Sequence, residues 1–436
     1  MRKNLWAVLT ATILCLAFVP AARCQFLVDC SGATPGTYPS IGAALAGAGP
    51  NSYVFVLPGT CNENVYISNA FNLNLGALYG GVTLNGNVSV QGSNSVFLYG
   101  LNVTNPYGDA FDISSSHNVA LAACSGNGNS GRGMTVGTMS DVSLTGPGSF
   151  DGNGGGGINL SQNSLVNINN WNGSSFDISN NNGPGVWLSG GWFGTFGATT
   201  INNNSNPSGT TPPMGYGIEA VGASKVQMGT CYGPNQIADN QNGGLDAEEN
   251  TEVSFWTCGN PSFQNSITGN GPVGISAGLG SQVSLYDSAQ ISGHTGSGVE
   301  VYGNSQLRVF SANLISQNGS ASDPRSAGIV VDGNSEAYLR GGTITMNQGP
   351  GVLVLVNSSA DSLGAAFSNN TGGSLTCDSS AYAVSDLLPP ASNGCRAPHH
   401  LGNRRGLTAS PMTKPDSTAL KNKLAQFQAL AAQKKK

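Results

Sequence analysis

Short runs of alternating apolar and polar residues recur along most of this chain, and none of them is long. Ile218-Glu219-Ala220 and Val299-Glu300-Val301 turn their apolar members to one face, as do Val226-Gln227-Met228, Val253-Ser254-Phe255 and Val283-Ser284-Leu285. Period-two alternation over so few residues predicts half-buried strands. A third kind of run, such as Ile178-Ser179-Asn180 or Ile344-Thr345-Met346-Asn347, ends in an Asn/Gly cluster. Asn and Gly tolerate left-handed backbone, so these clusters predict turns.

The runs are ordered by a repeat. A Gly followed by an apolar residue stands at Gly133, Gly157, Gly185, Gly217, Gly244, Gly274, Gly298, Gly328 and Gly351, at intervals of 23 to 32 residues. Seven residues after each Gly comes Ser or Thr, with Trp192 as the exception. Asn recurs six residues after it, at Asn163, Asn250, Asn304, Asn334 and Asn357, and predicts a column of stacked, hydrogen-bonding amides. Three short strands per repeat describe an all-β solenoid with about three strands per rung. The pattern resembles the right-handed parallel β-helix, or pectin-lyase-like, superfamily over residues 53–376. About a dozen rungs at about 4.8 Å would make a rod of roughly 57 Å.

The ends differ from the repeat. Residues 1–24 read as an export signal, with Arg2 and Lys3 before an apolar stretch and a small-residue cleavage zone at Pro20-Ala21-Ala22. The stretch is too short for a comfortable membrane span, and no comparable apolar run follows. Residues 25–52 form an N-terminal cap, in which Ile41, Ala44, Leu45 and Ala48 follow helical spacing after Pro39-Ser40. The passage from Tyr38 through Val54-Phe55-Val56-Leu57-Pro58-Gly59-Thr60 is similar to the opening segment of pectin-lyase-like proteins. Residues 377–395 close the other end, and residues 396–436 form a basic tail. There Leu420, Leu424, Phe427 and Ala431 make an apolar stripe on an expected helix after Asp416-Ser417.

Charge sharpens this division. The formal net charge of −5 is the sum of +3 from residues 1–24, −16 from residues 25–395 and +8 from the tail. An acidic rod of this kind excludes nucleic acid as a partner, while the tail suits docking on the solenoid, capping its end or contacting anionic cell-surface polymers. Cysteine spacing pairs Cys30 with Cys61, Cys231 with Cys258 and Cys377 with Cys395, leaving Cys124 as a buried filler. Cys231 and Cys258 each fall 14 residues after their repeat's Gly, so a rung spacing of about 4.8 Å brings them within disulfide range. Disulfides place the protein outside the cytoplasm, secreted or in the cell envelope.

Candidate chemistry lies on the strand after each Gly. Outward positions two and four residues on carry Trp187, Glu219, Asp246, Glu248, Glu300, Tyr302 and Asp332. Aromatic rings pack on the apolar faces of pyranoses and carboxylates accept hydroxyl protons, so this face suits extracellular polysaccharide. Glu219, Asp246 and Glu300 are the candidate catalytic residues if the protein is a glycoside hydrolase or polysaccharide lyase, because adjacent-rung carboxylates start near glycosidase spacing. The same oxygens suit Ca²⁺, and no other cofactor is implied. A structural surface or adhesion rod is the third reading.

Five basic residues lie between positions 25 and 395, namely Arg132, Lys225, Arg308, Arg325 and Arg340, and none is expected on the carboxylate column. Polygalacturonase-like enzymes pair a Gly-His-Gly with acidic motifs that are absent around Gly293-His294-Thr295, so His294 is expected in an exposed turn. Gly126-Asn127-Gly128-Asn129-Ser130-Gly131 reads as a solenoid turn rather than a nucleotide loop, because no helix follows it. Trp256, Tyr286 and Phe310, followed by Arg340, offer a second aromatic column.

Overall fold

The computed structural model describes residues 25–171, 173–205, 215–384, 395–396 and 418–433, so residues 1–24, read above as an export signal, and most of the segment before the tail helix lie outside the described residues. Its architecture is a parallel β-solenoid in which each coil gives one strand to each of three sheets. The first sheet, after the repeat Gly, has 13 strands, the second 15 and the third 13. Apolar residues hold the register. Val186, Ile218, Leu245, Ile275, Val299, Ile329 and Val352 pair in succession and form one fully buried column of the core.

The rod is longer than the Gly repeat suggests. Val65, Val88 and Phe111 pair in line with Met134, so Asn64, Asn87 and Ala110 occupy the position that Gly133 fills later. The cap adds Gln25–Val28, paired with Tyr53–Val56, and the last strand is Tyr382–Val384. Fifteen strands in one sheet give an axial length of roughly 67 Å.

Helix α1, Ile41–Gly47, buries Ile41 and Ala44 over the open end of the core. Ser40 caps it by accepting from the Ala43 N–H, and the Glu63 carboxylate accepts from the Ile41 and Gly42 N–H groups at 2.7 and 2.9 Å. Three donors that a helix start leaves unpaired are thereby satisfied. The cysteines pair as expected, with Cα separations of 5.2, 4.7 and 4.8 Å for Cys30–Cys61, Cys231–Cys258 and Cys377–Cys395. Cys124 is free and buried, and burial pushes its thiol up to about 12.

Two polar columns run through the interior. The Ser/Thr column is buried, and each hydroxyl accepts the backbone N–H of its counterpart one rung earlier, as in Thr251 to Ser281, Ser281 to Ser305 and Ser305 to Ser335, all at 3.1 Å. Trp192 departs from it because the turn leading to it from the first strand is one residue shorter than in the next rung. Trp192 pairs with Lys225, and Gly190 and Gly191 donate to Ser224 Oγ instead.

The amide column is not where the spacing put it. Asn163, Asn250, Asn304, Asn334 and Asn357 have φ between 56° and 66° and serve as turn residues. The stacked amides close the third strand instead, at Asn129, Asn153, Asn181, Asn204, Asn240, Asn270, Asn318, Asn347 and Asn370. His294 fills the gap between Asn270 and Asn318. It is 2 % exposed, not an exposed turn residue, and its ring nitrogens face the carbonyls of Asn270 and Ile267 at 3.3 and 3.1 Å. Burial holds its pKa below the usual histidine range.

Helix α2, Thr418–Gln433, lies on the outer face of the second sheet at its N-terminal end. Leu424 packs there against a cluster that includes Tyr53, Phe55, Phe97 and Ala120. The Lys421 ammonium sits 4.9 Å from the centre of the Trp171 ring. Among the described residues of the tail, α2 thus lies against the solenoid. No helix among the described residues is long and apolar enough to cross a membrane.

Candidate functional site

The outward face of the first sheet gathers the predicted site residues into two columns. Trp187, Glu219, Asp246, Ser276, Glu300 and Val330 stand in direct register across successive rungs. Two residues further along the strands come Val221, Glu248, Gly278, Tyr302 and Asp332. Strand spacing puts neighbours in a column about 4.8 Å apart, so the carboxylates crowd one another.

Two tyrosines roof this surface where glycine leaves room. The Tyr302 ring lies over Gly278, where a Cβ would stand 2.5 Å from ring carbons. It thereby spans two rungs, and its hydroxyl donates to Glu248 Oε1 at 2.6 Å. Tyr216 packs in the same way over Gly243, whose added Cβ would meet its ring at 2.7 Å. Sequence reasoning missed Tyr216, which stands one residue before its repeat Gly, outside the positions read as the outward face. Trp187, part-buried, heads the column beside Glu219.

Arg325 is the second residue the sequence reading missed. It comes from the loop between the third and first sheets, outside the repeat, and its Nη2 donates to Asp332 Oδ2 at 2.7 Å. With Glu300, Tyr302, Asp323, Val330 and Asp332 it lines an open groove of about 370 Å³. The carboxylate face is therefore not free of cations, contrary to the expectation from strand positions alone.

Burial and crowding act on the acids together. Burial, then the charges of Asp246 and Glu248, push Glu219 up to about 7. Burial also lifts Asp246 to about 6, against a hydrogen bond from Ser276 and with Glu248 adding to the rise. Glu300 is raised by burial, partly offset by Ser297 and the Arg325 charge. Glu219 Oε2 is closed to solvent and has no hydrogen-bond partner.

The sign of the resulting linkage is definite. Between the ordinary carboxylate range and about pH 7 the folded chain holds protons on Glu219 that the unfolded chain has released. Stability from this group is therefore greatest at low pH and falls as pH rises through that window. We expect Glu219→Gln to raise the melting temperature relative to wild type at pH 7.5, with the difference vanishing near pH 4.5, in paired thermal melts.

Among the described residues, the group of three metal-capable side chains that converges is Cys30, Cys61 and Glu63. Two of these form a disulfide, and the third caps α1. The second aromatic column is only partly open: Trp256 is buried edge-on to Phe196, while Tyr286 and Phe310 stack on each other at 5.6 Å. Arg340, the last member, donates to Asp361.

Residues 214–372 match the family model described as "Right handed beta helix region", which covers the rungs bearing Glu219 to Asp332. The fold is thus a right-handed parallel β-helix. Among solved structures it is similar to the A-module of Azotobacter vinelandii mannuronan C-5 epimerase AlgE4, at 12 % identity and a TM-score of 0.51, over 80 % of this chain and 94 % of that one. The A-module of AlgE6 from the same organism gives 14 % and 0.43 over 80 % and 95 %. Pectate lyase Pel9A gives 11 % and 0.33 over 91 % and 94 %. A comparison with curated protein sequences returned no match.

Proposed function

We propose that the protein is exported and binds extracellular polysaccharide along the outward face of its first sheet. The observation that carries this reading is the in-register column Trp187–Glu219–Asp246 beside the roofing rings of Tyr216 and Tyr302. Rings offer flat apolar faces, and carboxylates accept hydroxyl protons in the gaps between them. The rod extends the face over several rungs, which suits a polymer better than a monosaccharide. The epimerase module with the similar fold acts, by its name, on mannuronan.

One observation favours a second reading, acid–base chemistry on the bound sugar. Glu219 and Asp246 are register partners with pKa values pushed up to about 7 and about 6. One of the pair can hold a proton while the other is charged, as a general acid and base require.

A glycan array probed with the intact protein tests the binding reading. Trp187→Ala and Tyr302→Ala are each expected to weaken any signal about tenfold, the loss of one aromatic platform. Unchanged binding by both variants would sink the named face. Reducing-end and unsaturated-product assays on the glycans retained decide turnover. Activity that survives both Glu219→Gln and Asp246→Asn excludes this pair.

A further inference from the structure

We infer that the sugar-binding face continues past Trp187 along the first sheet to a second aromatic anchor, Tyr66, so that one extended glycan chain is held at both rings. The inference rests on the polysaccharide-binding reading and adds a distal subsite to it. Tyr66 belongs to the same outward column, since Tyr66, Ser89, Asp112, Thr135, Asn159 and Trp187 pair in direct succession. It stands on the first strand of the sheet and Trp187 on the sixth, which sets the two rings roughly 24 Å apart along the axis. Tyr66 is 66 % exposed and lines an open groove of about 330 Å³ at the N-terminal end of the rod. Leu45, Ala46 and Ala48 close one side of that groove from α1 and its C-terminal end, and Ser68 and Asn69 bring a hydroxyl and an amide to the other. An apolar ring face beside groups that both donate and accept is what a pyranose needs.

The stretch between the two rings has matching chemistry. Beside the Tyr66 column a second one runs through Ser68, Gln91 and Ser114 and, past Gly137, through Ser161 and Ser189. Hydroxyls and amides can each donate and accept, as the hydroxyls of a sugar do. Asp112 is the one charged member of the two columns over these rungs. Asn159, next to Trp187, is 8 % exposed and its Oδ1 has no hydrogen-bond partner. Buried acceptors are normally paired, so the protein leaves one group unsatisfied on the track between the rings. A protein partner would call for a broad apolar centre. A narrow, hydroxyl-lined track with a ring at each end fits a polysaccharide chain instead.

Titration calorimetry on the full chain tests this with trimers and decamers of xylose, mannose and galacturonic acid, and of any glycan the array retains. A trimer is too short to reach both rings, whereas a decamer spans them. The wild type should bind the decamer of its preferred sugar at least about tenfold tighter than the trimer, because the second contact is then intramolecular. Tyr66→Ala, checked for folding by its melt, should lose that gain and keep the trimer affinity. Trp187→Ala should weaken both lengths. Equal affinity for the two lengths, or a decamer affinity that Tyr66→Ala leaves intact, overturns the distal subsite while polysaccharide binding at Trp187 stands. A loss on Tyr66→Ala as large for the trimer as for the decamer also overturns it, since no second contact would then be at work. If no oligosaccharide binds and the array is blank, the polysaccharide reading falls as well.

Discussion

Gly244→Ala should destabilise the solenoid by about 3 kcal/mol, the upper end of what one inserted methyl costs in a packed interior. The reason is contact rather than backbone freedom. A Cβ at Gly244 would stand 2.5 Å from the carbonyl oxygen of Gly274 and 2.7 Å from Ile267 Cγ2. That oxygen belongs to the next repeat Gly, so it cannot retreat without disturbing the rung beyond. The same approach recurs at Gly217, Gly274, Gly298 and Gly328, where the next repeat's carbonyl would lie 2.5 to 2.7 Å from the added carbon. Circular dichroism melts of Gly244→Ala should show a marked fall in melting temperature. Ser266→Ala, on the open face of the third sheet, should melt with the wild type. A Gly244→Ala protein as stable as wild type would mean that the repeat Gly has another cause.

Asn240→Leu should be comparably damaging, at about 3 kcal/mol or more. The amide donates to the Ile201 carbonyl and to Asn270 Oδ1, and it accepts from both the backbone N–H and the amide of Asn204. Leucine fills the space but leaves these groups unpaired in the interior, at about 1–3 kcal/mol each before relaxation. Chemical denaturation with two probes suits the measurement, because long repeat arrays need not unfold in one step. His294→Asn is the informative companion, since it restores the column's residue type. The folded chain keeps His294 neutral, while the unfolded chain protonates it below about pH 6.5, so the wild type loses stability on acidification through that range. The asparagine variant should lose that part of the acid sensitivity, read as the difference between the two melts at pH 5 and pH 7.5.

Much of the fold was legible because a solenoid writes one local solution many times. The Gly, the alternating triplets and the Ser/Thr seven residues on are set by contacts between neighbouring rungs, so they recur at nearly constant spacing. Cys231 and Cys258 were legible for the same reason. What escaped were features set by a single rung or by exchange of equivalents. Asn87 and Ala110 stand in the Gly position of the early rungs, Ala110 against Gly126 of the third strand, which hid the first coils. His294 reads as a turn residue by its place just before Gly298, yet it substitutes for an amide inside. In the site, the acids were found by periodicity, while Tyr216 and Arg325 lie just off the repeat. Arg325 reaches Asp332 through a loop whose path no period encodes.

The resting place of α2 gives the rod a polarity. Leu424 shares its apolar cluster with Leu27 and Tyr53, so the C-terminal helix and the first rungs occupy the same pole, while Tyr382–Val384 forms the opposite one. The strand bearing Asp246 is the eighth of 13 in its sheet, which sets the carboxylate face roughly 34 Å along the axis from the sheet's first strand. A surface that held α2 would therefore also face the N-terminal pole. The far pole and the carboxylate face would then stand away from it, like a hook on a short stalk.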